Sequence, residues 1–191
     1  MKLGPLSDRR DLFRSAFGDL IERAMRATEE RVVQEWYQRP PGALPAVAFL
    51  AACTRCGLCG EACPPVALQR APSEAGLAAG TPYLDYQIQP CVACPDMPCV
   101  RACPTGALTL PPSDWSGYRL AAVEFLPERC VTYRGTSCRA CADACPVGER
   151  ALGIDEDGHP VLKLEGCVGC GACVRGCITS PPSFRYQPLE S

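Results

Sequence analysis

The cysteines are the residues of this chain whose type and spacing could do chemistry. There are sixteen of them, in four motifs of four with none left over, and every motif ends in C-x3-C. The outer two motifs have the spacing C-x2-C-x2-C-x3-C, and the middle two carry one insertion each. In chain order the motifs are Cys53, Cys56, Cys59 and Cys63; Cys91, Cys94, Cys99 and Cys103; Cys130, Cys138, Cys141 and Cys145; and Cys167, Cys170, Cys173 and Cys177.

This spacing indicates iron-sulfur clusters. In the bacterial ferredoxin pattern, three closely spaced thiolates bind one [4Fe-4S] cube and the fourth binds the cube of a partner motif. Small residues between the ligands, such as Gly57 and Gly171, let backbone N–H groups approach the sulfurs. The four motifs therefore predict four [4Fe-4S] clusters in two two-cluster modules.

Disulfides and zinc are the rival uses of so many cysteines. Disulfides belong to secreted chains, which begin with an apolar leader, but charges interrupt every apolar run of residues 11–34. Zinc ribbons use two separated C-x2-C pairs, whereas three or four cysteines stand together here. Both alternatives are disfavoured, and metal analysis separates zinc from iron.

Composition limits the remaining functions. The formal charge of -2 over 191 residues suggests no special attraction to nucleic acid,. No window approaches the roughly 20 apolar residues of a membrane span. Because each oxidised cube adds negative charge, the loaded protein should be more acidic than the bare sequence and should suit basic docking surfaces. No nucleotide fingerprint or Ser/His constellation stands out, so we expect an electron carrier rather than an enzyme.

The elements that position these cysteines are those of an α+β fold made of ferredoxin-like modules. Each motif should be followed by a short helix and a strand, as in residues 102–110 and 151–167. In the latter, DEDGHP predicts a hairpin turn with His159 as an exposed turn residue rather than a ligand,. Gly135 is available for a turn in the insertion of the third motif. We place the cluster domain at residues 46–191.

Each motif also contains an arginine within its cysteine spacing or its inserted turn, and we consider the one nearest the C-x3-C end, or between the first two cysteines in the first motif. A cation near a cube favours the reduced cluster and raises its potential, whereas the alternative is a solvated helix residue. The four are Arg55, Arg101, Arg139 and Arg175.

The N-terminal segment, residues 1–45, combines an amphipathic helix with a Pro-rich linker. Apolar residues recur at a helical period over residues 8–38, up to Pro40,. This helix packs on its own core, on a partner subunit or on a membrane surface. SDRRDLFR at 7–14 resembles a twin-arginine export signal, but DLIERAMRATEER replaces the apolar segment that should follow,. We expect a cytoplasmic protein with peripheral association at a membrane complex, and periplasmic export is the alternative.

The sequence leaves the pairing of the motifs open. The intervals between motifs are similar, so consecutive pairing and nested pairing (first with fourth, second with third) both fit. The match between the two regular motifs and between the two inserted ones favours nesting.

Four stretches of the chain resemble the NapG/MauM type of four-cluster ferredoxin. They are RPPGALPAVAFLAACTRCGLCGEACP at 39–64, GTPYLDYQIQPCVACPDMPCVRACPTGAL at 80–108, CVTYRGTSCRACADACP at 130–146 and the closing CVGCGACVRGC. The resemblance spans about residues 39–180. It implies an accessory electron-transfer subunit of a respiratory system, in NapG's case between a membrane quinol dehydrogenase and nitrate reductase.

The resemblance also implies nested pairing, which the wider group of four-cluster electron-transfer subunits uses. The outer module would combine residues 46–80 with 160–191, and the inner module would span 81–159. The implied ligand sets are Cys53, Cys56, Cys59 and Cys177 for cluster 1; Cys91, Cys94, Cys99 and Cys145 for cluster 2; Cys130, Cys138, Cys141 and Cys103 for cluster 3; and Cys167, Cys170, Cys173 and Cys63 for cluster 4.

We therefore expect a protein that relays single electrons through four [4Fe-4S] clusters and has no substrate site of its own. Two alternatives share the cofactor. The chain could be the electron-transfer subunit of a molybdenum enzyme or hydrogenase complex, or a NapF-like accessory protein for cofactor assembly. A zinc scaffold is the third alternative.

Overall fold

A computed structural model of the chain describes residues 37–112 and 114–189. The amphipathic helix expected over residues 8–38 lies outside the described residues, apart from its last two positions. The described helices are α1 (Ala46–Ala52), α2 (Leu58–Glu61), α3 (Pro98–Arg101), α4 (Ala140–Asp143) and α5 (Ala172–Arg175). The strands are β1 (Leu68–Arg70), β2 (Pro82–Leu84), β3 (Ala121–Phe125), β4 (Leu152–Ile154), β5 (Pro160–Leu162) and β6 (Phe184–Pro188).

Each cysteine motif contains a one-turn helix, α2 to α5, that carries its third cysteine, and the fourth cysteine follows two residues after that helix. The residue before the helix is left-handed in three motifs, with φ of 87° at Gly57, 43° at Met97 and 80° at Gly171. Glycine adopts this conformation without strain. Met97 adopts it while its side chain is buried in the core, 1% exposed. The sequence suggested a helix after each motif. In the structure the helix lies inside each motif instead.

Two short hairpins connect consecutive motifs. β1 pairs antiparallel with β2 between the first and second motifs. β4 pairs antiparallel with β5 between the third and fourth, and residues 155–159 form the turn. The predicted hairpin at DEDGHP is confirmed. In both cases the hairpin reverses the direction of the chain, so that the next motif lies beside the previous one.

A second pairing closes each half of the chain. β3, which precedes the third motif, pairs antiparallel with β6, which follows the fourth, from Ala121 opposite Pro188 to Phe125 opposite Phe184. In the first half an isolated bridge between Ala43 and Leu108 occupies the corresponding place. The same plan thus occurs twice: an outer pairing, a motif, a hairpin and a second motif.

Two hydrophobic cores follow from this repetition. The first contains buried residues from around the first and second motifs, and the second contains residues from around the third and fourth. They are Phe49, Leu68, Leu84, Met97, Val100 and Leu108 in the first, and Val123, Leu152, Val174 and Phe184 in the second. α2 packs on α3, and α4 packs on α5.

The Pro-rich stretch before α1 belongs to the first half. Gln38 pairs with Leu84 on β2, and the Arg39 guanidinium donates to the Thr81 hydroxyl at 2.9 Å. Arg39 also lies over the ring of Phe49, at 4.8 Å from its centroid. Tyr37 is the first residue of the compact unit that contains the four motifs. None of the helices in the described part of the chain is long and apolar enough to cross a membrane.

Candidate cluster-binding sites

Three cysteines of the first motif and one cysteine of the second line a common cavity. Its volume is about 320 Å³, and Phe49 and Leu108 form part of its wall. We call this group site 1, and its cysteines are Cys53, Cys56, Cys59 and Cys103. The short hairpin between the two motifs brings Cys103 back to this cavity.

Two further cavities repeat this arrangement in the second half of the chain. Each is lined by three cysteines of one motif and the fourth cysteine of its neighbour. Site 3, of about 290 Å³, is lined by Cys130, Cys138, Cys141 and Cys177. Site 4, of about 320 Å³, is lined by Cys145, Cys167, Cys170 and Cys173.

The remaining four cysteines form site 2, in which Cys63 joins Cys91, Cys94 and Cys99. Burial raises the pKa of the Cys99 thiol to about 11, and the charge of Cys63 adds to that rise. The pKa of Cys94 is also raised, first by burial and then by Cys63. Cys63 therefore lies close to two cysteines of the second motif.

These groups correct the nested pairing. In each group three cysteines come from one motif and the fourth comes from the adjacent motif. Cys103 joins site 1, Cys63 joins site 2, Cys177 joins site 3 and Cys145 joins site 4. We call the part of the chain around the first and second motifs the first module and the part around the third and fourth motifs the second module; both belong to the one compact unit that begins at Tyr37. The physical reason is the pair of hairpins, which bring consecutive motifs into contact.

Backbone N–H groups donate to the sulfurs of four cysteines, which are Cys103 in site 1, Cys63 and Cys91 in site 2, and Cys177 in site 3. The nitrogen-to-sulfur distances are 3.3 Å from Ala67 to Cys63, 3.4 Å from Ala93 to Cys91, 3.4 Å from Leu108 to Cys103 and 3.3 Å from Ser183 to Cys177. Donors directed at sulfur stabilise thiolates and the negatively charged cube that they bind. The four cysteine groups thus fit [4Fe-4S] clusters.

The environment of the thiols differs between positions. Burial raises the pKa of Cys91 to about 12 and that of Cys141 and Cys170 to about 11. For Cys103 and Cys177 burial acts in the same direction, but hydrogen bonds from backbone N–H groups and threonine hydroxyls outweigh it, so their pKa is lowered. These are the two fourth cysteines that complete sites 1 and 3.

The insertion of the third motif forms an ordered turn. Residues Val131–Arg134 make a 3-10 turn that ends at Gly135, whose φ is 82°. The backbone N–H of Thr136 then donates to the carbonyl of Val131 at 3.1 Å. The prediction that Gly135 supports a turn is confirmed. The insertion lengthens the approach from Cys130 to Cys138 and leaves both cysteines in site 3.

His159 lies in the β4–β5 turn, but it is half-buried. Its ring stacks on Tyr133, with centroids 4.0 Å apart and an angle of 12° between the planes. Its Nδ1 lies 3.1 Å from the Thr132 hydroxyl oxygen, which lies 3.2 Å from the Cys130 sulfur. The prediction of an exposed His159 is therefore wrong. The residues that hold it belong to the inserted turn, and nothing in the spacing indicated this contact.

The motif arginines act mainly as ties between backbone segments. Arg55 has a φ of 61° and donates to the carbonyls of Ala79 at 2.8 Å and Leu77 at 2.9 Å. Arg101 donates to a carbonyl within its own motif, and Arg139 forms an exposed ion pair within α4. Arg55 therefore connects backbone segments, whereas Arg139 lies exposed on the surface.

Sites 2 and 4 meet where the two modules are in contact. The charge of Cys170 in the second module adds to the burial that raises the pKa of Cys91 in the first. The rings of Tyr86 and Tyr186 lie 4.2 Å apart beside them. A Cβ added at Gly171 would lie 2.5 Å from the Tyr86 Cβ. Arg175 of the second module also donates to the Gln87 carbonyl of the first, at 3.2 Å.

Comparisons with known proteins identify 4Fe-4S dicluster domains along the chain. A family model described as a 4Fe-4S dicluster domain matches residues 52–107 and also 90–149. A second family model with the same description matches residues 122–178. The matches over 52–107 and 122–178 cover the first two and the last two motifs, and the match over 90–149 covers the second and third motifs.

Curated relatives resemble most of the chain. The methylamine utilization ferredoxin-type protein MauM of Methylophilus methylotrophus is 40% identical over 160 residues, which cover 80% of this chain and 71% of the relative. The ferredoxin-type protein NapG of Escherichia coli is 35% identical over 163 residues, with the same coverages of 80% and 71%. The ferredoxin-type protein NapF of Escherichia coli is 30% identical over 150 residues, which cover 78% of this chain and 84% of the relative. No solved structure matches the chain.

Proposed function

The chain belongs to the MauM and NapG family of ferredoxin-type proteins, and from this we propose that it passes single electrons along one line of four clusters between two redox partners. It is an iron-sulfur electron-transfer protein whose dicluster domains accommodate four [4Fe-4S] clusters. The observation that carries the proposal is the contact between sites 2 and 4, because it joins the two modules at one cluster of each.

We assign the ligands of the four clusters to the four cysteine groups. Support comes from the three cavities, from the proximity of Cys63 to the second motif and from the N–H groups that donate to sulfur. The sets are Cys53, Cys56, Cys59 and Cys103; Cys91, Cys94, Cys99 and Cys63; Cys130, Cys138, Cys141 and Cys177; and Cys167, Cys170, Cys173 and Cys145.

Iron content of double variants tests this assignment. The anaerobically purified protein should contain about sixteen iron atoms, four for each cube. In Cys53→Ala/Cys103→Ala both substitutions fall in site 1, so about four irons should be lost. In Cys53→Ala/Cys177→Ala they fall in sites 1 and 3, so about eight should be lost. The reverse result would restore nested pairing, and a protein with stoichiometric zinc would refute the cluster assignment itself.

The order of the sites along the electron path is 1, 2, 4 and 3. Sites 1 and 2 share the first core, sites 3 and 4 share the second, and Cys91 of site 2 lies close to Cys170 of site 4. Sites 1 and 3 then form the two ends. Cys56 of site 1 is the exposed member of the sixteen cysteines, which favours electron exchange with a partner at that end.

The partners are redox proteins, and the chain has no substrate site of its own. A membrane quinol dehydrogenase as donor and a catalytic reductase as acceptor would suit the family, and the negative charge of the loaded clusters favours basic docking surfaces. Affinity purification of the native protein from membranes and cytosol, followed by identification of what it retains, tests this. Recovery with a large molybdenum or hydrogenase subunit would instead make the chain part of that enzyme.

Cofactor assembly is a second candidate function, favoured by the similarity to NapF. Deletion of the chain separates the two possibilities. If it only transfers electrons, its partner enzyme remains loaded with metal but loses its electron supply. If it assists assembly, the partner lacks metal.

A cytoplasmic location, peripheral to a membrane complex, is part of the proposal. Cell fractionation tests it. Recovery in the periplasm, abolished when Arg9 and Arg10 are changed to lysine, would establish export instead.

A further inference from the structure

We propose that Thr132 and His159 together raise the reduction potential of the cluster held at site 3. This inference rests on the proposed function, because it concerns a cluster at that site. The Thr132 hydroxyl lies between two groups, at 3.2 Å from the Cys130 sulfur and 3.1 Å from His159 Nδ1. Both Thr132 and Cys130 are buried, so water competes little for these contacts.

The hydroxyl has a single proton, and His159 decides where that proton points. If Nδ1 carries a hydrogen, the ring donates to Thr132 Oγ1 and the threonine proton is free to be donated to the Cys130 sulfur. With the hydrogen on Nε2 alone, Nδ1 would accept the threonine proton and the sulfur would lose its donor. We assign the Nδ1–H tautomer, in which His159 is a positioning residue for the hydroxyl.

The surroundings hold His159 in place for this role. Its ring is stacked on Tyr133, the residue after Thr132. Its backbone N–H donates to the Asp155 carboxylate at 2.7 Å, and its carbonyl accepts from the Asp155 N–H at 2.9 Å. The inserted turn of the third motif and the β4–β5 turn therefore meet at this contact. The insertion has a function on this view, since it supplies both the hydroxyl and the stacking ring.

A hydrogen bond to a ligand sulfur affects the two redox states differently. Reduction adds one electron to the cube, so its sulfur atoms become stronger acceptors and the donor stabilises the reduced state more. The potential consequently rises. Site 3 lies at one end of the proposed path, so its potential affects electron exchange with whichever partner binds there.

Site 1, at the other end of the path, offers a matched comparison. There the Thr105 hydroxyl lies 3.8 Å from the Cys103 sulfur, a longer contact than that of Thr132. Replacement of Thr132 by the isosteric valine should therefore lower the potential of its cluster more than replacement of Thr105 by valine does.

The test is an EPR-monitored redox titration of the fully loaded protein, with the site 3 signal identified by its loss in Cys130→Ala. In Thr132→Val we expect the midpoint potential of that signal to fall by at most about 59 mV. For one electron this corresponds to about a tenfold change in the ratio of reduced to oxidised cluster at a fixed potential. Thr132→Ser should retain the native midpoint. His159→Phe keeps the stacked ring and removes Nδ1; the Thr132 proton can still be donated to the sulfur, but the ring N–H no longer polarises the hydroxyl, so the midpoint should fall by less than in Thr132→Val. His159→Asn, whose side-chain amide can donate to the hydroxyl, should retain the native midpoint.

Unchanged iron content shows that a shift is not a loss of the cluster. The proposal is refuted if His159→Phe leaves the site 3 midpoint at the native value with iron retained, or if Thr132→Val and Thr105→Val shift their respective signals equally. If Thr132→Val loses iron, the midpoint potential of His159→Phe still tests the proposal, because this substitution leaves the turn of the third motif intact. Failure of the proposed function looks different, since the unaltered protein would then show no cluster signals.

Discussion

A methyl group added at Gly171 should separate the two modules. Its Cβ would lie 2.5 Å from the Cβ and 2.8 Å from the Cγ of Tyr86. Carbon atoms pack best at about 3.5–4.0 Å, so Tyr86 would have to move by about 1 Å. Overpacking of this kind costs about 1–3 kcal/mol, and the left-handed backbone adds roughly 1–2 kcal/mol for any residue with a side chain.

Gly158→Ala separates these two costs. Gly158 has a φ of 84°, close to the 80° of Gly171, but nothing lies within 4 Å of its added Cβ. It should therefore show the backbone strain alone. Gly171→Ala should be less stable than Gly158→Ala by about 1–3 kcal/mol, which is a factor of roughly 5 to 150 in an equilibrium constant.

Anaerobic guanidinium unfolding, followed by loss of visible cluster absorbance, compares the two variants. Spin–spin interaction between the reduced clusters of sites 2 and 4 reports on the separation of the modules. Gly171→Ala should unfold at lower denaturant and show weaker interaction, because Tyr86 can no longer approach the site 4 loop. Equal midpoints and unchanged interaction in both variants would refute the junction between sites 2 and 4.

Three further predictions concern the first module and its cofactors. Phe49→Ala should destabilise the protein by about 3–5 kcal/mol, because Phe49 is 0% exposed, whereas Val47→Ala on the same helix, 69% exposed, should change the unfolding midpoint little. Arg55→Gln should release the segment that Arg55 ties through the Ala79 and Leu77 carbonyls, so a chelator should bleach site 1 faster. A fall in the site 1 potential without faster bleaching would show a charge effect instead. Removal of iron should unfold the modules, because their elements are short and metal ligation supplies much of the folding energy; a native-like circular dichroism spectrum of the apoprotein would contradict this.

Several local features could be predicted because they depend on neighbouring residues. The β4–β5 hairpin follows from a turn sequence between two short apolar segments. Gly135 ends the inserted turn because the backbone there is left-handed. The one-turn helices were placed after the motifs instead of inside them, since a four-residue helix has too few apolar positions to show a period.

Contacts between distant residues could not be predicted in the same way. His159 and Thr132 are 27 positions apart, and no periodic pattern links a hairpin turn to an inserted loop. Arg175 and Gln87 are 88 positions apart and meet only because the modules pack at sites 2 and 4. Residues 37–45 resembled a linker by composition, but they pair with β2 and with the end of the first module.

The sequence by itself determined the number of sites and their kind. The first three cysteines of each motif stand on one short loop, so their spacing along the chain decides which thiolates can meet one cube. Only the tertiary structure decided the source of the fourth cysteine. The intervals between motifs are similar and allow both pairings. The choice between them depends on the two hairpins, which reverse the chain direction directly after a motif. Because β1–β2 and β4–β5 bring consecutive motifs side by side, Cys103 reaches site 1 and Cys177 reaches site 3.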